Sequence, residues 1–319
     1  MKNPLNRIAL SIQAFRRELK RHAEAQAPVL TPARVRIGLA LGGGFARGLA
    51  HIGILKVLEE ENIAIDFIAG TSVGSVIGAA YASGVSAKEL EEIAALVRFK
   101  DFSRWTFSRF GIFNNDKMAV FLRKVLHCKT FEELRIPLAV AATDVVTGEA
   151  VVFTSGELID PVRASCAYPG IFLPVNVKGR LLVDGLLAHS VPTIPLRALG
   201  ADRVIGVTLS ASWVKAQGPR HVFDVIGQCF SIAQDNMCGV WKSAADVVLE
   251  PAIGGFSYDD FVRAPELIKA GEAAARAALP QIRSWFPASS QAQESASAGT
   301  TLMPAIAPLG QASSLAPSS

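Results

Sequence analysis

Ser72 lies in a sequence pattern typical of nucleophilic catalysis. Residues Gly70-Thr71-Ser72-Val73-Gly74 read G-x-S-x-G and stand between a short apolar run and a helical pattern. A serine on such a strand-to-helix turn is strained, so the residues two positions before and after it must be small. The following helix would direct its N–H groups toward negative charge that develops near the serine. We therefore predict Ser72 as a nucleophile, with Gly70 and Gly74 as the glycines of the elbow.

Three consecutive glycines form a second strand-to-helix turn, at Gly42, Gly43 and Gly44. Backbone N–H groups that no side chain covers can bind an oxyanion, and Arg47 adds a cation beside them. The dinucleotide-binding fingerprint fails here, because Arg47 stands where its third glycine should follow Gly42, and the G-K-S/T of a phosphate loop is absent. A nucleotide-binding protein is thus the weakest alternative.

A candidate base follows a third apolar run, where Asp184-Gly185 comes after Leu181–Val183. A carboxylate at the end of a strand can act as a general base, although an isolated Asp-Gly pair is also typical of a simple turn. An α/β-hydrolase would need Ser, Asp and His in that chain order, and His189 and His221 are the candidates for its histidine. We expect a structural role for His51.

Strand and helix patterns alternate around these motifs, which predicts an α/β domain with a mostly parallel central sheet flanked by helices. The predicted strands are 35–41, 65–69, 137–143, 150–153, 181–183 and 203–209, and the predicted helices are 47–61, 73–83, 87–97, 221–244 and 265–284.

Residues 67–87 contain no charged side chain, which raises the alternative of a membrane span. Gly and Ser in its first turns and Gly84 near its end would interrupt such a helix. The segment is better interpreted as a buried strand, the Ser72 elbow and a helix of the core.

The two ends of the chain differ in composition from the domain predicted at 33–285. Residues 1–36 hold eight Lys or Arg against two Glu, and the apolar residues of this segment predict one helical stripe within 1–32. Residues 286–319 are rich in Ala, Ser and Pro, which predicts a disordered tail. No apolar segment is followed by a cleavage site of small residues, so we expect a cytoplasmic protein. The sequence leaves two alternatives for the basic helix: it contacts the inner face of the membrane peripherally, or it is a solvated helix.

Six aromatic residues lie within 99–113, interleaved with Arg104 and Arg109. This pattern fits either a lid that contacts lipid or a loop whose rings pack on the domain. The four cysteines show no metal-ligand or disulfide spacing, so we assign them no chemistry and expect no metal or organic cofactor.

In combination, these motifs resemble the patatin-like phospholipase family. The resemblance covers roughly residues 36–210. It includes G-G-G-x-x-R-G at 42–48, His51-Ile52-Gly53-Ile54-Leu55, the G-T-S-V-G elbow, Thr143-Asp144 with Thr147-Gly148-Glu149, the run 164–172, and Val183-Asp184-Gly185. It implies a patatin-like three-layer fold and a Ser–Asp dyad that hydrolyses acyl esters of lipids through an acyl-enzyme. Ser72 would be the nucleophile and Asp184 the base, with Gly42, Gly43, Gly44 and Arg47 around the oxyanion and Gly185 supporting the motif.

One departure from the family pattern is Leu186, which stands where Gly or Ala is usual after Asp-Gly; another is His189-Ser190, where Asn-Asn is frequent. A bulky residue beside the base motivates a further alternative, a non-catalytic lipid-binding protein that retains the fold. The expected partner is a lipid or fatty-acyl ester and not a nucleic acid. The head group, the ester position and the oligomeric state are not determined by the sequence.

Overall fold

The computed structural model describes residues 34–108, 110–209, 222–257 and 259–286. The basic helix predicted within 1–32, residues 287–319 of the predicted tail, and His221 lie outside the described residues. The elements given below belong to one unit of the chain that begins at Arg36.

An eight-stranded mixed sheet forms the centre of this unit, in the order β10-β9-β1-β2-β5-β8-β7, with β6 also paired to β5. Its strands are β1 (Ile37–Leu41), β2 (Phe67–Thr71), β5 (Leu138–Asp144), β6 (Ala150–Phe153), β7 (Val175–Val177), β8 (Arg180–Asp184), β9 (Arg203–Val207) and β10 (Val247–Leu249). The five strands from β10 to β5 run parallel, whereas β6, β7 and β8 pair antiparallel. The predicted α/β fold with a mostly parallel sheet is confirmed.

Helices lie in layers beside the sheet. They are α1 (Ala50–Glu60), α2 (Val73–Ala82), α3 (Ala87–Leu96), α4 (Asp116–Val125), α5 (Ile159–Ser165), α6 (Thr193–Leu199), α7 (Val222–Lys242) and α8 (Ala264–Arg283). Alternate strand residues divide between the two faces, as the pleat requires. The small side chains Ala40, Ala69 and Ala139 pack with Leu196 of α6 and Trp241 of α7, while Ile68 approaches Gly78 of α2 on the other face. This arrangement is a three-layer α/β fold.

The aromatic segment contains more regular structure than the sequence predicted. A 3₁₀ turn at Phe99–Asp101 leads into an antiparallel hairpin of β3 (Arg104–Ser108) and β4 (Gly111–Asn114). Phe99 and Phe113 pack edge to face, with ring centroids 5.5 Å apart, whereas Trp105 and Phe110 are exposed. Part of the segment thus packs on the domain, and part of it faces solvent.

Candidate active site

Ser72 occupies the turn between β2 and α2 with the backbone strain that the elbow pattern predicts. Its φ of 54° and ψ of −128° lie where side-chain-bearing residues are uncommon. A Cβ on Gly70 would come within 2.5 Å of the Gly74 carbonyl oxygen, and a Cβ on Gly74 would collide with the carbonyl of Leu41. Both positions therefore require glycine because the backbones approach closely, and Ser72 keeps only 8% of its surface exposed.

The sheet register brings Asp184 to the same place. Thr71, the last residue of β2, pairs with Ala141 of β5, and Asp184, the last residue of β8, pairs with the adjacent Ala142. Strands that are distant in sequence therefore end beside each other. Gly185 is required here as well, because a Cβ would collide with the carbonyl of Ala141.

The Asp184 carboxyl is fully buried and only partly satisfied by hydrogen bonds. Its Oδ1 accepts a hydrogen bond of 3.0 Å from the backbone N–H of Leu186, while Oδ2 has no partner of standard geometry among the described residues. Burial raises the pKa of Asp184 to about 7, against the opposing effects of the Ser72 side chain and the Leu186 N–H. A carboxyl with this pKa can accept a proton near neutral pH.

Two further serines hold the backbone of the elbow, and sequence reasoning assigned a role to neither. The N–H of Ser72 donates to Oγ of the fully buried Ser165 over 2.8 Å, and the hydroxyl of Ser75 donates to the Ser72 carbonyl over 2.6 Å. Ser165 lies at the end of α5, within the run 164–172 that carried part of the family resemblance. That resemblance was the only signal in the sequence for Ser165.

The glycine turn lies directly beside the nucleophile. A Cβ built on Gly43 would be 3.2 Å from the Cβ of Ser72. The N–H groups of Gly42 and Gly43 donate to the carbonyls of Val207 and Ser190, over 3.1 and 3.3 Å. The N–H of Gly44 has no acceptor among the described residues. The Gly44 N–H is thus the donor most available for an oxyanion. The Gly43 N–H could exchange its long hydrogen bond to Ser190 for one to the oxyanion.

Arg47 and His51 are buried beside this turn, and each forms hydrogen bonds to a backbone carbonyl. The buried Arg47 guanidinium donates two hydrogen bonds to the Phe256 carbonyl, over 3.0 and 2.7 Å. His51 is fully buried, and its Nε2 lies 2.9 Å from the Gly42 carbonyl oxygen. Burial lowers the pKa of His51 to about 4, so the ring is neutral and Nε2–H is the donor. These contacts assign His51 a structural role and connect Arg47 with residues near 256.

The described histidines do not form a triad with the two candidate residues. His51, His127 and His189 make no hydrogen bond to the side chain of Ser72 or Asp184 in the part of the chain that the structure describes. At His189 it is the backbone that is engaged, because its carbonyl accepts a hydrogen bond from Thr71 Oγ1 over 2.6 Å. His221, the other candidate, lies outside the described residues.

Two cavities of different character meet at Ser72, and Phe45 lines both of them. The first, of about 140 Å³, has a partly polar lining that includes Ser231, Gln234, Asp235, Lys242 and Glu250. The second, of about 120 Å³, is almost wholly apolar; the residues that line it include Val76, Ile93, Phe102, Phe121 and Phe261. Leu186, the departure from the family pattern, lines the polar cavity and leaves the Asp184 carboxyl in place.

Comparison with protein-family models matches residues 39–197 to the model described as patatin-like phospholipase. The matched range contains the glycine turn, the Ser72 elbow and Asp184. The chain carries a patatin-like phospholipase family domain. The expected resemblance is therefore confirmed.

Relatives of this patatin-like domain include proteins named for lipid hydrolysis. An uncharacterized NTE family protein of Mycobacterium tuberculosis is 38% identical over 56% of this chain and 50% of its own length. The lysophospholipase NTE1 of Mycosarcoma maydis is 30% identical over 69% of this chain, and patatin-like phospholipase domain-containing protein 6 of Homo sapiens is 30% identical over 66%. The matches cover 12% and 16% of those two longer proteins. The chain thus spans half or less of these relatives.

A solved structure with similarity to the patatin-like domain is VipD of Legionella pneumophila, with a TM-score of 0.46 and 12% identity over 78% of this chain and 67% of VipD.

Within the described residues, no helix is both long and apolar enough to cross a bilayer. The uncharged run at 67–87 accordingly forms β2, the elbow and α2.

Proposed function

We propose that this chain is a serine hydrolase of lipid carboxylic esters that uses Ser72 and Asp184 as a catalytic dyad. The observation that carries the proposal is the meeting of three features at one point. A strained serine lies beside a buried carboxyl whose Oδ2 has no hydrogen-bond partner of standard geometry, and a polar and an apolar cavity converge on that serine. Membership of the patatin-like phospholipase family supports the same class of reaction.

The first half of the reaction forms an acyl-enzyme. Ser72 Oγ attacks the ester carbonyl carbon while its proton passes to Asp184 Oδ2, the oxygen that accepts no other hydrogen bond. The pKa of about 7 makes this transfer favourable enough to proceed near neutral pH. The bond from Oδ1 to the Leu186 N–H keeps the carboxyl oriented during the transfer.

The negative charge that develops on the carbonyl oxygen is stabilised by the glycine turn. Gly44 N–H is free to donate, and Gly43 N–H can exchange its 3.3 Å bond to Ser190 for a shorter one to the oxyanion. Arg47 supports this turn through its bonds to the Phe256 carbonyl. The proton on Asp184 then leaves with the alcohol.

The second half releases the fatty acid. Asp184, again ionised, removes a proton from a water molecule that attacks the acyl-enzyme, and Ser72 Oγ recovers a proton as it leaves. The two cavities suit the two ends of such a substrate. The acyl chain lies in the apolar cavity, where each buried methylene contributes about 0.8 kcal/mol, and the polar part of the lipid lies in the other.

A fluorophosphonate probe, which labels activated serines, tests the nucleophile. We expect labelling of the parent protein and none of Ser72→Ala, with Ser83→Ala as the matched control that removes a buried serine hydroxyl outside the elbow. Release of fatty acid from a panel of lipids and short-chain esters should follow the labelling. Equal labelling of the parent and Ser72→Ala would contradict the proposal, and absence of both labelling and turnover would favour a binding protein that retains the fold.

The dyad is tested separately from the nucleophile. Because a general base contributes about 10²–10⁴-fold to rate, Asp184→Asn should lower kcat by that amount. His189→Ala and His221→Ala should keep most of the activity. A loss in either histidine variant as large as that of Asp184→Asn would replace the dyad with a Ser-Asp-His triad.

A further inference from the structure

The apolar cavity beside Ser72 opens among exposed apolar side chains. Leu96, Trp105, Val120 and Val262 are each between 52% and 80% exposed. Leu96, Val120 and Val262 immediately adjoin in sequence residues that line the cavity, namely Val97, Phe121 and Phe261. Large apolar side chains this exposed in one area are typical of an interaction surface.

Ring contacts bring the segments that carry these residues to one mouth. Phe102 packs against Phe121 of α4 with ring centroids 4.9 Å apart, and against Phe261 at 6.3 Å. Trp105 of the hairpin belongs to a second group of rings, in which the Phe113 ring centroid lies 4.4 Å away. Phe113 in turn contacts Phe99, which lines the cavity. We call the group Leu96, Trp105, Val120 and Val262 the mouth surface.

Unpaired cations surround the mouth surface. Lys100, Arg104, Lys117, Arg123 and Lys124 form no ion pair with any residue that the structure describes. On α4, Lys117 and Lys124 lie one turn before and one turn after Val120, on the same side of the helix. The Lys117 ammonium donates to the Lys100 carbonyl over 3.1 Å, which brings the two lysines together.

The neighbouring carboxylates are mostly engaged within the protein. Asp101 accepts from the Arg98 N–H over 2.8 Å, Asp116 pairs with Arg163 at 2.5 Å, and Glu266 pairs with Arg263 at 2.6 Å. Glu92 and Asp259 are the unpaired acids of these segments within the described residues. Five unpaired cations against two unpaired acids leave this area positively charged.

We propose that the mouth surface docks on an anionic lipid bilayer, so that an acyl chain enters the apolar cavity from the membrane. Apolar side chains would enter the boundary between head groups and acyl chains, and the lysines and arginines would contact anionic head groups. Trp105 has the amphipathic ring that membrane interfaces favour. The proposal rests on the proposed function only for the role of docking, which is to bring an acyl chain to Ser72. Binding to a bilayer itself requires no turnover.

A second exposed apolar stripe, on α7, is the alternative surface. Val225, Ile232 and Val240 are exposed along that helix. The side of α7 that carries Gln234 and Asp235 lines the polar cavity, and Lys242 is paired with Glu250. The α7 stripe therefore lacks both the adjoining apolar cavity and the unpaired cations that favour the mouth surface.

Vesicle co-sedimentation of the full chain in a Ser72→Ala background measures binding without hydrolysis. The parent should bind vesicles that contain phosphatidylglycerol, and high salt should weaken that binding. The double variant Lys117→Gln, Lys124→Gln should bind these vesicles about tenfold or more weakly, because each cation near an anionic surface contributes about 1 kcal/mol. The double variant Leu96→Ser, Val262→Ser should lose about tenfold on vesicles of either charge.

Matched controls distinguish the effect of changing the mouth surface from a general effect of lower charge or lower hydrophobicity. Lys129→Gln with Lys269→Gln removes the same charge elsewhere, and Val146→Ser removes an exposed apolar side chain elsewhere. Both controls should bind like the parent, and circular dichroism should show that every variant is folded. The proposal is overturned if the parent binds no vesicles, if the mouth variants match their controls, or if Ile232→Ser with Val240→Ser alone abolishes binding. Fluorophosphonate labelling of protein with Ser72 intact reports on the proposed function independently of all these outcomes.

Discussion

The Asp184 carboxyl lies in a buried site of low dielectric constant, yet its proposed role as a base requires it to become charged. Complete burial penalises the carboxylate, and one backbone N–H together with the Ser72 hydroxyl only partly offsets that penalty. The result is a base stronger than an ordinary aspartate. Because the pKa in the folded state lies above the unfolded value near 4, the native protein binds this proton more tightly than the unfolded chain. The site therefore lowers the stability of the fold as pH rises from about 4 to 7.

The same raised pKa predicts the pH dependence of the reaction. The proposed base acts only when ionised, so kcat/KM for a soluble ester should rise with pH, reach half its maximum near pH 7 and level off above. His51 stays neutral throughout, because its pKa of about 4 lies below this range. Initial rates between pH 5 and 9 measure the profile. A profile that is flat from pH 5 to 7 would contradict an Asp184 base with a raised pKa.

At the scale of secondary-structure elements, the site depends on where β2, β8 and α5 end. The first two end beside consecutive residues of β5, Ala141 and Ala142, which places Ser72 close to Asp184. The third ends at Ser165, whose Oγ accepts the Ser72 N–H. Without that acceptor, a buried N–H at a strained residue would lose its partner, and the elbow could move away from the carboxyl.

Ser165→Ala should therefore reduce both stability and catalysis. A buried donor without a partner costs about 1–3 kcal/mol, so the free energy of unfolding should fall by that amount. We also expect kcat to fall about tenfold or more while KM changes little, since misplacement of a reacting group lowers the rate of the chemical step. Denaturant titration and steady-state kinetics measure the two effects. Ser83→Ala is the matched control, because it removes another buried serine hydroxyl that accepts from a backbone N–H, that of His127; it should lower stability and keep kcat.

The local parts of this site could be predicted from the sequence, and the long-range parts could not. The elbow and the glycine turn are each fixed by a few adjacent residues, and the glycine spacing reflects the close backbone approaches seen in the structure. The contact between Ser72 and Ser165 joins residues 93 positions apart, and nothing near either serine indicates it. The hairpin at 104–114 and the short helices α5 and α6 were missed because short elements carry little periodic signal.

At the scale of the whole molecule, the fold separates a polar from an apolar environment on the two sides of one serine. Helix α7 and residues near Glu250 supply the polar cavity, while α2, α3, α4 and the aromatic segment supply the apolar one. Phe45, held at a positive φ of 50° and packed on the ring of Tyr168, lies between them. Neither cavity could be predicted from the sequence, because each is lined by segments from several parts of the chain.

If the apolar cavity holds the acyl chain, a larger side chain in it should shorten the preferred substrate. Ile93→Trp places a bulky ring where α3 lines the cavity. Each excluded methylene forfeits about 0.8 kcal/mol, so loss of two should lower kcat/KM for long-chain nitrophenyl esters about tenfold. The rate on the butyrate ester should change little, because its short chain stays near Ser72. Ala95→Trp on the exposed side of the same helix is the matched control and should keep the preference of the parent. Equal losses on short and long chains would show instead that the acyl group lies elsewhere.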